Sequence, residues 1–156
     1  MNTETVSCSG VNVFEGVAEY WGSRYDLFRT DSGRGESKRP KQTNDCTVRA
    51  LANISGQPYD ECYDLLKERG RKCSRGGDFP NSRKDDEALG IKFLWQSFPA
   101  VKGKRRMNIG DFCEAHPEGK YIARTAKHVF AVIDGVVHDS FKQAPYRCVY
   151  GCWKVA

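Results

Sequence analysis

Hydrophobic and polar positions change period along this chain, and each change of period predicts an element. Residues 46–54, CTVRALANI, hold Val48, Ala50, Leu51, Ala52 and Ile54 in a short stretch with no glycine or proline, which predicts a mostly buried helix. Asn44 or Asp45 can supply its N-cap. After Ser55 and Gly56, Pro58 can start a second helix. Its Tyr59, Cys62, Tyr63 and Leu66 recur at i, i+3, i+4 and i+7, and Gly70 is the stop. Cys62 falls on that apolar face and reads as core. The C-terminal third alternates instead with a period of two. KYIAR, HVFAVID, GVVHDSF and RCVYGCWKV are short β-branched and aromatic runs parted by turns, the pattern of an antiparallel sheet. Residues 91–98 predict a further strand and residues 109–114 a short helical piece.

Other stretches are less regular. Residues 11–29 are rich in Val, Phe, Tyr and Trp, enough to pack on the body of the domain, but their period is ambiguous. Residues 30–42 are polar and rich in Gly, Ser and charge, which predicts a flexible connector, with Pro40 disfavouring helix at its end. Residues 71–86 have the composition of an exposed loop. The expectation is one domain over residues 1–156, with residues 1–41 an N-terminal extension and linker.

The turn between the two central runs sharpens the picture. Asp134-Gly135 is the two-residue signal of a type I′ hairpin. Taken literally, it pairs Ile133 with Val136, Val132 with Val137, Ala131 with His138 and Phe130 with Asp139. His128 shares a face with Phe130, so His128 and Asp139 become diagonal neighbours on one face, about 7–8 Å apart at Cα and within side-chain reach. His138 points to the other side, and Asp134 is consumed by the turn.

Composition narrows the chemistry. No apolar run approaches the roughly 20 residues that span a bilayer, which argues against a membrane partner. The start, MNTETVSCSG, has neither the basic nor the apolar part of a secretory signal, so the expectation is a cytoplasmic chain whose seven cysteines are free thiols. There is no CxxC. Cys148 and Cys152 in one regular strand would lie about 13 Å apart, too far to share a metal, so neither metal nor cofactor is expected. The net charge is +5, and residues 102–106, KGKRR, could touch phosphates, with Trp95 and Phe98 as nearby stacking surfaces. Such runs are more often solvated loops, so nucleic acid is a possible partner but not the favoured one.

A thiol at the start of a helix, a histidine at a strand start and a carboxylate facing it are the three types that cysteine catalysis needs. The thiolate is the nucleophile, and a helix N-terminus and an imidazolium both lower its pKa. The histidine moves the proton, and the carboxylate orients the ring. Each residue also has a plain structural role open to it: Cys46 as a buried small thiol, His128 as a half-exposed strand residue, Asp139 as a strand-end carboxylate. Arg49 most simply pairs with Asp45.

A cysteine opening a helix, followed far downstream by histidine and Asp or Asn on successive strands, resembles the papain-like cysteine peptidase superfamily. The string Asn44-Asp45-Cys46-Thr47-Val48-Arg49-Ala50-Leu51 is similar to the nucleophile motif of ovarian-tumour-type deubiquitinases, with Thr43 where that motif has Asp. HVFAVIDGVVHDS is similar to the His and Asp strands of bacterial papain-like peptidases and of transglutaminase-like proteins. The chain also resembles small phage-encoded proteins. The resemblance implies an α+β, papain-like fold, with N-terminal helices packed on a C-terminal antiparallel sheet. It implies Cys46 as nucleophile, His128 as acid and base, and Asp139 as orienting group. Gln42 is an oxyanion donor by analogy, although it precedes Cys46 by four residues where the papain pattern has about six; the Cys46 backbone N–H is the alternative donor. The implied function is a cysteine peptidase or isopeptidase acting on a protein or peptide through a thioester. A catalytically silent papain-like module that binds a host protein, and a basic nucleic-acid-binding protein, stay open beside it.

Overall fold

The computed structural model describes residues 4–7, 24–73 and 90–156, the first of these as backbone only. Most of the ambiguous segment 11–29 and most of the loop expected over 71–86 lie outside the described residues. Within them the chain is a mixed α+β fold. The strands are β1 (Glu4–Ser7), β2 (Asp26–Arg29), β3 (Phe93–Ser97), β4 (Lys120–Thr125), β5 (His128–Ile133), β6 (Val136–Asp139) and β7 (Gly151–Val155). The helices are α1 (Cys46–Ser55), α2 (Tyr59–Glu68) and α3 (Ile109–Ala115). No helix among the described residues is long and apolar enough to cross a membrane.

The strands form one sheet in the order β1-β2-β6-β5-β4-β7-β3. Its centre follows from the Asp-Gly turn: Asp134 and Gly135 both have positive φ, at 49° and 76°, and Ala131, Val132 and Ile133 pair with His138, Val137 and Val136. The Asp134 carboxylate also accepts from Gly119 N–H at 2.9 Å and so holds the turn before β4. Two features differ from expectation. The sheet is mostly antiparallel rather than wholly so, because β2 runs parallel to β6, and through β2 and β1 the N-terminal region becomes part of the sheet. The last strand is also shorter than its apolar run. It begins at Gly151, while Cys148 forms an isolated bridge to Asn108.

Alternation along the strands sorts the core into two layers. Ile122, Val129, Ala131 and Trp153 pack with Val48, Leu51 and Ile54 of α1 and with Tyr59, Cys62, Tyr63 and Leu66 of α2. Leu27, Ala123, Phe130, Val132, Val137 and Cys152 pack on the other face with Ile109 and Phe112 of α3. Burial of each large aliphatic side chain contributes about 1.5–3 kcal/mol, so the apolar face of α1 is held to the sheet firmly. Helix α3 starts with a full capping box, Asn108 accepting from Asp111 N–H while Asp111 accepts from Asn108 N–H.

The segment expected to be a flexible connector is folded. Residues Arg34–Glu36 make a 3-10 turn, and Arg39 donates to Asp60 at 2.6 Å and to Asp64 at 2.9 Å on α2. Its guanidinium also lies over the Tyr63 ring. Polar composition marks a loop, but it cannot tell a free loop from one pinned by ion pairs to a distant helix. The basic stretch at 102–106 is partly committed within the fold as well. Arg105 pairs with Asp111 at 2.6 Å, and Arg106 donates to Phe98 O and covers the Tyr150 ring. Trp95 packs on Trp153 and Phe98 on Phe112.

Candidate active site

Strand β5 begins and strand β6 ends at the same end of the sheet, because the two are antiparallel neighbours. Lys127, in the left-handed region at φ 57°, turns the chain into β5 and places His128 at its first position. His128 Nε2 lies 2.7 Å from Asp139 Oδ2. Its ring stacks on Phe130 at 5.9 Å, as two side chains of like parity on one strand should, and meets the exposed Phe141 at 5.1 Å.

Helix α1 brings its N-terminus to this end. Asn44 adopts φ 51°, a conformation that asparagine tolerates better than most residues, and the helix starts two residues later with Cys46. Arg71 donates to the Thr43 and Asn44 carbonyls at 3.4 and 3.1 Å and fixes the approach. The half-buried Cys46 thiol hydrogen-bonds the His128 ring and the Val129 backbone N–H.

Burial works against charge on this pair but does not decide the outcome. For Cys46, desolvation favours the neutral thiol; the His128 and Val129 hydrogen bonds and the nearby His128 and Arg49 charges outweigh it and lower its pKa. For His128, desolvation favours the neutral ring, yet hydrogen bonds to Asp139 and Cys46 and their negative charges push its pKa up to about 9. Both directions favour the thiolate-imidazolium form of the pair over the neutral one. Cys152 differs: burial alone pushes its pKa up to about 11.

Asp45 sits at the N-cap position, as expected, but its carboxylate makes no capping hydrogen bond. The physical reason is competition. Arg34 Nη1 lies 3.1 and 3.2 Å from its two oxygens, Arg49 Nε donates to Oδ1 at 3.1 Å, and the Tyr59 hydroxyl donates to Oδ2 at 2.8 Å. Burial raises the pKa of Asp45, but these partners more than offset it and the net shift is downward. The carboxylate is thus neutralised next to the thiol.

Arg49 pairs with Asp45, and it also reaches Asp139, which sequence reasoning missed. Its Nη1 lies 2.6 Å from Asp139 Oδ1 and donates to Ser140 Oγ at 3.1 Å. A guanidinium on an otherwise apolar, buried helix face was the available signal, since such a charge needs partners. Gln42 is buried, and its Nε2 lies 3.6 Å from the exposed Cys73 sulfur. His138 lies apart from the pair, its ring 4.8 Å from Phe28.

No family model, curated protein or solved structure matches this chain. Function is therefore read from the chemistry of the site. No cluster of three or more His, Cys, Asp or Glu that could hold a metal occurs among the described residues. The arrangement is suited to covalent chemistry at sulfur: a thiol at a helix N-terminus, an imidazole against it, and a fixed carboxylate behind the ring.

Proposed function

We propose that the protein is a papain-like thiol hydrolase, a cysteine peptidase or isopeptidase that cleaves an acyl bond through a thioester on Cys46. The observation that carries this reading is the sequence of contacts from Cys46 to His128 to Asp139, the last at 2.7 Å. In the first half-reaction the Cys46 thiolate attacks the carbonyl carbon and forms the C–S bond. The oxyanion is held by the Cys46 backbone N–H at the positive end of α1. Collapse breaks the bond to the leaving group, which takes its proton from His128. In the second, His128 takes a proton from water as the water attacks the thioester, and the acid product leaves with the thiolate restored. Asp139 keeps the ring oriented and offsets its charge throughout.

The cytoplasm is the proposed location, since the reaction needs a reduced thiol. An activated ester such as p-nitrophenyl acetate tests the reading. A burst of one nitrophenolate per chain, with an acetyl group on Cys46 and no burst from Cys46→Ala, is the expected result. Hydrolysis that persists in Cys46→Ala contradicts it.

A further inference from the structure

Arg49 is a buried charged group at this site with no part in the chemistry just described. It lies three residues after Cys46, less than one helical turn along α1, among Val48, Ala50, Leu51 and Ile54 of the core. Its side chain is 9% exposed and that of Asp139 is 1% exposed. Two separate nitrogens are used on two elements: Nε on Asp45, which precedes the helix, and Nη1 on Asp139 at the end of β6. Asp45 is in turn held by Arg34 from the 3-10 turn and by Tyr59 from α2. One guanidinium therefore ties the helix bearing the nucleophile to the strand bearing the orienting carboxylate.

The carboxylate it meets has no spare orientation. Asp139 Oδ1 accepts from Arg49 at 2.6 Å and from Ser140 N–H at 2.7 Å, and Oδ2 accepts from His128. Rotation of the carboxylate would break all three contacts. We infer that Arg49 is a positioning residue for the proposed reaction: by bridging Asp45 and Asp139, it sets the Cys46 sulfur against His128 and holds Asp139 in the plane that receives the imidazole. This rests on the hydrolase reading above. The charged and titratable groups around it are Asp45, Arg34 and Tyr59 on one side and Asp139, His128 and Cys46 on the other. A planar fork can serve two carboxylates at once, whereas a lysine ammonium is a single point of charge.

The test uses the full-length chain with Arg49→Lys and with the double variant Arg49→Met, Asp45→Asn, which removes a buried cation together with one of its buried anions. Iodoacetamide labelling of Cys46 is followed against pH by peptide mass spectrometry, with urea unfolding in parallel. Both variants are expected to fold, to label Cys46 at least about tenfold more slowly near neutral pH, and to show a labelling midpoint moved up toward the ordinary thiol value of about 8.5. Folded variants with the wild-type rate and midpoint overturn the proposal. Loss of fold in both also overturns it, because that assigns Arg49 to stability. If the unsubstituted chain shows no preference for Cys46, the hydrolase reading itself falls before any variant is compared.

Discussion

Asp139 Oδ1 receives the Arg49 guanidinium at 2.6 Å, while the other oxygen of the same carboxylate receives His128. Every partner of this side chain is a donor: Arg49, the Ser140 N–H and the imidazole. In Asp139→Asn an amide NH2 must face one of them. The expected outcome is a kcat lower by about 10²–10⁴-fold, as for loss of an orienting carboxylate. Urea denaturation should show a stability loss of about 1–3 kcal/mol for the donor left without an acceptor.

His128 and His138 should titrate apart. His128 has its folded pKa raised to about 9, above an unfolded value of about 6.5, so its pairing stabilises the fold below pH 6.5 and that contribution is lost as pH rises through about 9. His138 is shifted the other way: burial lowers its pKa, only partly offset by Asp134, so its contribution is present above the unfolded value and is lost as pH falls through the folded one. NMR of the imidazole C–H signals should show one alkaline and one acid-shifted transition. Cys46→Ser removes a thiolate that favours the imidazolium, and should move the alkaline transition down.

The proposed mechanism also fixes a pH profile. Acylation, read as kcat/KM, needs the thiolate and the imidazolium together. It should rise through the lowered pKa of Cys46 and fall on the alkaline side near pH 9, where His128 loses its proton. An alkaline limb that continues to rise past that point would contradict His128 as the acid.

Gln42→Ala separates two candidates for the oxyanion site. Loss of an oxyanion donor lowers kcat by about 10²–10³-fold. Because the Gln42 amide lies against Cys73 and the Cys46 N–H already stands at the helix start, the expected loss is less than about tenfold.

One test concerns the scaffold alone. A Cβ added at Gly151 would overlap the Trp95 ring and approach Gln96 O, where β3 and β7 pair. Gly151→Ala should destabilise the fold by about 1–3 kcal/mol in urea unfolding, the usual range for overpacking.

The hairpin was legible in sequence because the Asp-Gly turn leaves only one register and alternation then assigns every face. Helices α1 and α2 were legible for a similar reason, since their apolar residues repeat locally. What escaped depends on partners far along the chain. Nothing in DLFR says that it pairs in parallel with residues 136–139. The spacing in α1 pairs Arg49 with Asp45, but does not show that its second partner lies 90 residues away. Asp45 has the chemistry of an N-cap, and only the fold brings Arg34 and Tyr59 to take its oxygens instead. Cys148 belongs to an extended apolar run, yet it bridges to Asn108 rather than to the next strand.

The most direct measurement is competitive alkylation of the intact chain with less than one equivalent of iodoacetamide near neutral pH, with each of the seven thiols read by peptide mass spectrometry. Cys46 should carry nearly all of the label, ahead of the more exposed Cys73, and His128→Ala should abolish that preference. Label spread according to exposure, with Cys73 leading and His128→Ala without effect, would contradict a thiolate-imidazolium pair at Cys46.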